Sequence, residues 1–259
     1  MKYAGHDVNF WFWRVGEETE LESFEIPFID LDRVFHIGTM DSGRLGKGAG
    51  GASLEGDCLS VSLCPHAWRY IARLGGNDLF ELTNQGGRFV DIHALIEDGR
   101  VPQIVEWAKG LGLAKDANLW KSWNFDDEAD EWRYFVCATE EEAIEEGAED
   151  GIGPDGGPAV CEVTVPVGTW KLAQITGMMI RDDEDATDAI LLAFSMTVAH
   201  ADGAWWRERF DPESLSAPRG GIFKSRVSGW TAKKIAWKDV DDEEELDAFE
   251  AGLSSRPRL

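Results

Sequence analysis

Four acidic blocks, Glu17 to Glu25, Asp126 to Asp150, Asp182 to Asp188 and Asp239 to Glu250, divide this sequence into stretches of different character. Carboxylates at that density belong in water, so the blocks mark the exterior and the intervening stretches must supply the core. Those stretches carry short apolar runs rather than long ones, and none approaches the ~20 residues of a membrane-spanning helix. Leu59-Ser60-Val61-Ser62-Leu63 alternates apolar and small polar side chains, the pattern of a half-buried strand. Val34-Phe35-His36-Ile37-Gly38-Thr39-Met40 is rich in strand formers, and Ile26 to Ile29, Trp132 to Ala138, Val160 to Val165, Trp170 to Ile175 and Trp230 to Trp237 also read as extended. An aromatic run, Phe10-Trp11-Phe12-Trp13, reads as a further strand.

Helices are fewer. Pro65 suits a first helical turn, with Trp68, Ile71 and Ala72 at helical spacing and Gly75-Gly76 as the stop. Val101 to Leu113 has helical periodicity and ends at glycine. Thr139-Glu140-Glu141-Glu142 has capping-box spacing and opens a helix that runs to about Glu149. Ala186 to Ala199 is the longest apolar helix, although Ile190 to Val198 also fits a buried strand. Asn84-Gln85-Gly86-Gly87 between Leu79-Leu82 and Arg88-Ile92 suggests a hairpin. Leu215 to Gly221 reads as a turn. The mixed order predicts an α+β fold, a mainly antiparallel sheet with several helices. Residues 1–238 form one globular domain in this reading, with a weak subdivision near 116–130, and 239–259 form an acidic helix or tail.

With 25 basic and 49 acidic side chains the net charge is −24. Such a field repels phosphate backbones and anionic lipid and steers cationic partners. Nucleic acid and membrane are therefore excluded as bulk partners, and a basic protein partner is expected. Twelve Trp and thirteen Phe exclude a wholly disordered chain. Cys58, Cys64, Cys137 and Cys161 form no CxxC pair and lie in or beside apolar stretches, as buried free thiols do. No secretory leader is visible after Met1, so a reducing, cytoplasmic setting is expected. The five histidines show no metal-ligand spacing, and Gly46-Lys47-Gly48 lacks that of a phosphate-binding loop.

One constellation suggests chemistry. His36 lies on a strand, a segment with glycines at 43, 46, 48, 50, 51 and 56 follows, and Ser60 and Ser62 lie on the next strand. A histidine beside glycine offers a donor with backbone room around it, suited to a ribose hydroxyl. Phe35-His36-Ile37-Gly38-Thr39 resembles the first motif of the ADP-ribosyltransferase superfamily of the His-Tyr-Glu type. Two segments resemble its second motif, Leu59 to Ser62 and Tyr134 to Thr139. The resemblance implies NAD as substrate, held by His36, Gly38, Thr39, Ser60, Ser62 and Tyr134, and transfer onto a macromolecular target. It also implies a glutamate beside the cationic sugar, with Glu162, Glu208 and Glu213 as candidates and Glu162 preferred. The alternative function is an acidic interaction or inhibitor protein without catalytic activity, docking through Trp anchors. Arg207, Arg209 and Arg219 form a further cluster suited to an anion or to neighbouring acids.

Overall fold

The computed structural model describes residues 2–3, 6–7, 25–40, 56–71, 74, 77–126, 131–148, 151–178, 180, 183–198, 200–206 and 218–247. The expected strand at Phe10 to Trp13, the glycines at 43 to 51, and Glu208 and Glu213 lie outside them. The chain runs β1 (Lys2–Tyr3), β2 (His6–Asp7), β3 (Phe28–Ile37), β4 (Leu59–Ser62), α1 (Pro65–Ile71), β5 (Leu79–Asp91), α2 (Ile92–Glu97), α3 (Val101–Gly110), β6 (Ala114–Asp126), β7 (Glu131–Cys137) and α4 (Glu140–Glu146). It continues through β8 (Val160–Gly168), α5 (Trp170–Thr176), α6 (Asp183–Thr197), β9 (Gly203–Trp206), β10 (Arg219–Ile222), β11 (Thr231–Ile235) and α7 (242–247). Pairing is mostly antiparallel, and the fold is α+β.

Six strands pair in the order β11-β5-β3-β4-β10-β9. β5 meets β11 over its first part, while Phe89 to Asp91 run parallel to Gly203 to Trp205 of β9. That second pairing closes β5, β3, β4, β10 and β9 into a ring, which covers sheet edges that would otherwise lie open. Val34, Leu59, Val61, Leu82, Phe89, Trp205 and Trp230 form its core cluster, with Phe89 edge-on to Trp205 and Trp230 at 5.9 and 5.8 Å. Each such buried side chain stabilises by roughly 1.5–3 kcal/mol.

Two turn expectations fail in this ring: Gly86 lies in a bulge with positive φ, and Gly87 and Gly220 permit close packing rather than chain reversal. Leu79 to Asp91 is one strand, not a hairpin. Between the pairs Leu31↔Gly87 and Arg33↔Thr83, β3 advances two residues while β5 advances four, so Asn84 to Gly86 are taken up in a bulge. Asp32 accepts the Gly86 N–H at 2.8 Å, and Gly86 has φ +81. A Cβ at Gly87 would lie 2.5 Å from the Leu31 carbonyl oxygen and from the Trp230 ring. Similarly, Arg219 to Ile222 is a strand paired with both β4 and β9. There a Cβ at Gly220 would lie 2.3 Å from Trp205.

The helices α2, α3, α5 and α6 enclose a second core beside the ring, reached by Val90, Ala204 and Trp206. Ala189 to Phe194 are all buried, so α6 is apolar all round in this stretch. This is why periodicity left helix and strand open there; the Ser195 and Thr197 hydroxyls donate to the Leu191 and Ala193 carbonyls at 2.8 and 2.7 Å, as helix geometry allows. Trp170 to Thr176 is a helix, not the expected strand. Leu172, Ile175 and Thr176 face inward at helical spacing, Trp170 stays 76% exposed, and Gly177 caps the end with φ +69.

A separate three-stranded sheet, β7-β6-β8, carries the antiparallel β6–β7 hairpin. Thr139 caps α4 by accepting the Glu142 N–H at 3.2 Å, as its sequence spacing predicts; the helix stops at Glu146, short of the expected Glu149. At the other end of the chain, Asp242 caps α1 from 175 residues away, accepting the Ala67 N–H at 2.8 Å and the His66 N–H at 3.1 Å. Arg33 pairs with Glu245 of α7 and with Glu81 of β5, fastening this acidic helix to the ring. Among the described residues, no helix is long and apolar enough to cross a membrane.

Candidate functional site

β3 ends by delivering His36 into a polar seam against β4. Its Nδ1 lies 2.8 Å from the Ser60 carbonyl oxygen and its Nε2 3.3 Å from that of Thr39. A neutral imidazole has a single N–H, and the shorter contact assigns it to Nδ1, donating to Ser60. Burial pushes the His36 pKa down, against the raising effect of the two carbonyls. Gly38 has φ +140, and a Cβ there would stand 3.3 Å from His36 Nε2, so glycine leaves the ring its place. The Ser62 hydroxyl donates to the Pro218 carbonyl at 2.6 Å and accepts the Cys64 N–H at 3.0 Å, tying β4 to the entry of β10. The Ser60 hydroxyl oxygen is buried with no hydrogen-bond partner.

His36, Gly38, Thr39 and Ser60 therefore converge at one end of β3 and β4, with Ser62 farther along β4. Glu162 and Tyr134 sit elsewhere, on the three-stranded sheet. The register sets them on opposite faces of it: Glu162 is opposite Trp120, itself opposite Cys137, whereas Tyr134 is three residues before Cys137. Glu162 is exposed, and Tyr134 is 47% exposed. Among the described residues, no group of three or more His, Cys, Asp or Glu side chains could hold a metal ion.

Tyr134 belongs to a different surface. Alternation along β6 puts Leu119, Lys121, Trp123 and Phe125 on one face, and the register adds Trp132, Tyr134 and Val136 of β7 and Cys161, Val163 and Val165 of β8. Two aromatic pairs stand directly across the hairpin, Trp123 with Tyr134 at 5.2 Å and Phe125 with Trp132 at 5.3 Å. The Lys121 ammonium lies 4.0 Å from the Trp123 ring centre and 3.7 Å from that of Tyr134. On the opposite face, the buried Ser122 hydroxyl donates to the Ala143 carbonyl of α4 at 2.6 Å. α4 thus covers one side of the sheet. Among the described residues, none of the apolar side chains on the aromatic side belongs to a core cluster, and Phe125, Trp132 and Tyr134 are 37%, 37% and 47% exposed.

The electrostatics around this face are one-sided. From Ala114 to Ala148 the sequence holds eleven carboxylates and three cationic side chains, and the segment joining β6 to β7 is Asp-Glu-Ala-Asp. Sequence reasoning found the β7 strand but not this face. The signal was the period-two run Leu119, Lys121, Trp123, Phe125, obscured because the region was read as a boundary. Searches against family models, curated proteins and solved structures match nothing to this chain.

Proposed function

We propose that the protein is an acidic, non-catalytic binding protein that docks a basic protein through the aromatic face of the β6–β7–β8 sheet. The observation that carries this reading is an aromatic sheet face outside the core clusters of the described residues, with Phe125, Trp132 and Tyr134 exposed, in a chain of net charge −24. A folded protein normally covers such a face, and Trp and Tyr at the centre of a patch are the side chains that dominate binding energy. The surrounding carboxylates supply charge complementarity and long-range steering toward a cationic surface. Calorimetry with an arginine-rich peptide and an acidic peptide of equal length tests the reading. The cationic peptide is expected to bind, more weakly at higher salt, and paired Trp132→Ser and Tyr134→Ser substitutions are expected to reduce its affinity at least about tenfold. Equal binding of both peptides, or no effect of the paired substitutions, overturns it.

A second reading rests on the His36 ring, which the Ser60 and Thr39 carbonyls hold where β3 meets β4. It makes this seam the NAD site that the ADP-ribosyltransferase resemblance implies, with transfer onto a macromolecular target. The His36 ring would have to leave a carbonyl to meet a ribose hydroxyl, and Glu162 on the other sheet would have to be replaced by another carboxylate. Heat on titration with millimolar NAD, lost in His36→Ala, supports this reading; absence of heat from the wild type removes it.

A further inference from the structure

Resting on the binding role proposed above, we infer that the corner between Trp123 and Tyr134 binds an N-methylated lysine side chain of the basic partner, with Lys121 as its built-in competitor. The two aromatic residues stand directly across the β6–β7 hairpin, with ring centres 5.2 Å apart and planes inclined at 64°. The Lys121 ammonium lies over both rings, 4.0 Å from the Trp123 centre and 3.7 Å from that of Tyr134, so the corner already holds a cation. Lys121 itself belongs to the neighbouring rung, opposite Val136 of β7 and Cys161 of β8. Its flexible stem reaches along the face to place the charge between the rings, two residues and about 7 Å away. Tyr134 is 47% exposed, and Trp123 and Lys121 are half-buried, so the corner is in reach of a side chain from solvent.

The ring quadrupoles hold a cation but offer it no lone pair. A primary ammonium carries three N–H donors, and each one turned to a ring face gives up a hydrogen bond to water. A trimethylammonium group has the same charge and no N–H, so it enters the corner without that loss, and its methyl groups widen the contact with both rings. Lys121 holds the corner despite the loss because it is tethered to the same strand and competes at high effective concentration. An unmethylated lysine from a partner gains little by displacing it, whereas a methylated one gains the difference. The next aromatic pair, Phe125 with Trp132, extends the contact to residues flanking the methylated lysine. A free quaternary amine has the same head group but a single charge, and a chain of net charge −24 favours the more basic ligand.

Calorimetry on the full chain tests the inference with three basic peptides that differ at one central residue. That residue is lysine, trimethyl-lysine, or the uncharged analogue in which carbon replaces the ammonium nitrogen; tetramethylammonium is titrated beside them. The trimethyl-lysine peptide is expected to bind at least about fivefold tighter than either other peptide, and tetramethylammonium more weakly than all three. Lys121→Met vacates the corner and is expected to tighten the trimethyl-lysine peptide by about threefold or more. Unchanged affinity in Lys121→Met overturns the competitor role, and the wild-type comparison tests the site whether or not that variant folds. If the three peptides bind alike and paired Trp132→Ser and Tyr134→Ser substitutions weaken them all, the corner is no methyl-lysine site while the docking face stands. If no peptide binds, the binding role falls and the inference with it. An uncharged analogue that binds as well as trimethyl-lysine assigns the corner to apolar contact. Tetramethylammonium that matches the peptide assigns it to a free amine, and either result overturns the inference.

Discussion

Replacing Asp242 by alanine tests how firmly the acidic C-terminal segment is built into the fold. Asp242 is 8% exposed, and its carboxylate accepts two backbone N–H groups at the start of α1, from His66 and Ala67. Losing a helix cap costs about 1 kcal/mol, and stranding the buried Ala67 donor adds about 1–3 kcal/mol. Removing a desolvated charge offsets part of this, since burial holds the Asp242 pKa above its ordinary 3.8. The expected net loss is about 2 kcal/mol, or a melting temperature lower by about 4–8 °C for a chain of this length. Urea titration and calorimetry measure it, with Asp242→Asn, which keeps one acceptor oxygen, losing less. The pH dependence adds a signed check. The native state holds this proton after the unfolded chain has released it, so the Asp242 contribution falls as pH rises from 3.8 through the raised native value. Asp242→Asn lacks that fall. An unchanged urea midpoint in Asp242→Ala, or an Asp242→Asn protein that retains the fall, refutes the capping argument.

Gly87→Ala drives a methyl group into the Leu31 carbonyl and the Trp230 ring, and urea titration is expected to show a loss of about 1–3 kcal/mol from overpacking. His36 is buried with a lowered pKa, so the unfolded chain binds its proton first: stability contributed by the neutral ring is complete above 6.5 and is lost as pH falls toward the native value. Chemical denaturation across that range should show this acid-side loss in the wild type and a flatter profile in His36→Gln. The Cys64 thiol is pushed up to about 12 by burial and by Asp242 and Glu245, and Cys58 is also buried. Mass spectrometry after iodoacetamide treatment of the native protein should therefore find Cys161 and Cys137 labelled well before Cys58 and Cys64.

Strands with a clear alternation were legible in the sequence, because period-two patterning survives whatever packs against it. Leu59–Ser62 is of this kind; the β3 segment through His36 was legible from its content of strand formers, and Thr139 announced its helix through local capping chemistry. The misread elements depend on distant partners. Gly86 and Gly87 look like a turn until Asp32 and Trp230 are known to stand beside them, and Gly220 until Trp205 does. Trp170 to Ile175 has apolar residues at both ends that also fit a strand, but only helical spacing puts Leu172 and Ile175 into the core while Trp170 remains outside. The two strands that meet at His36 were legible in the sequence. Occupation of their seam by the Ser60 and Thr39 carbonyls was not, since backbone acceptors leave no trace in residue types. The aromatic face depended on a hairpin register that brings Trp123 opposite Tyr134 and Phe125 opposite Trp132.

The docking face is tested most directly by following indole N–H resonances while an alternating arginine–valine peptide is titrated into the isotopically labelled protein. Trp132 and Trp123 on the aromatic face should shift with a common saturation curve, while Trp107 and Trp205, fully buried in the two large cores, stay in place. Shifts confined to tryptophans away from the β6–β7 hairpin, or a peptide that binds without moving Trp132, contradict the account.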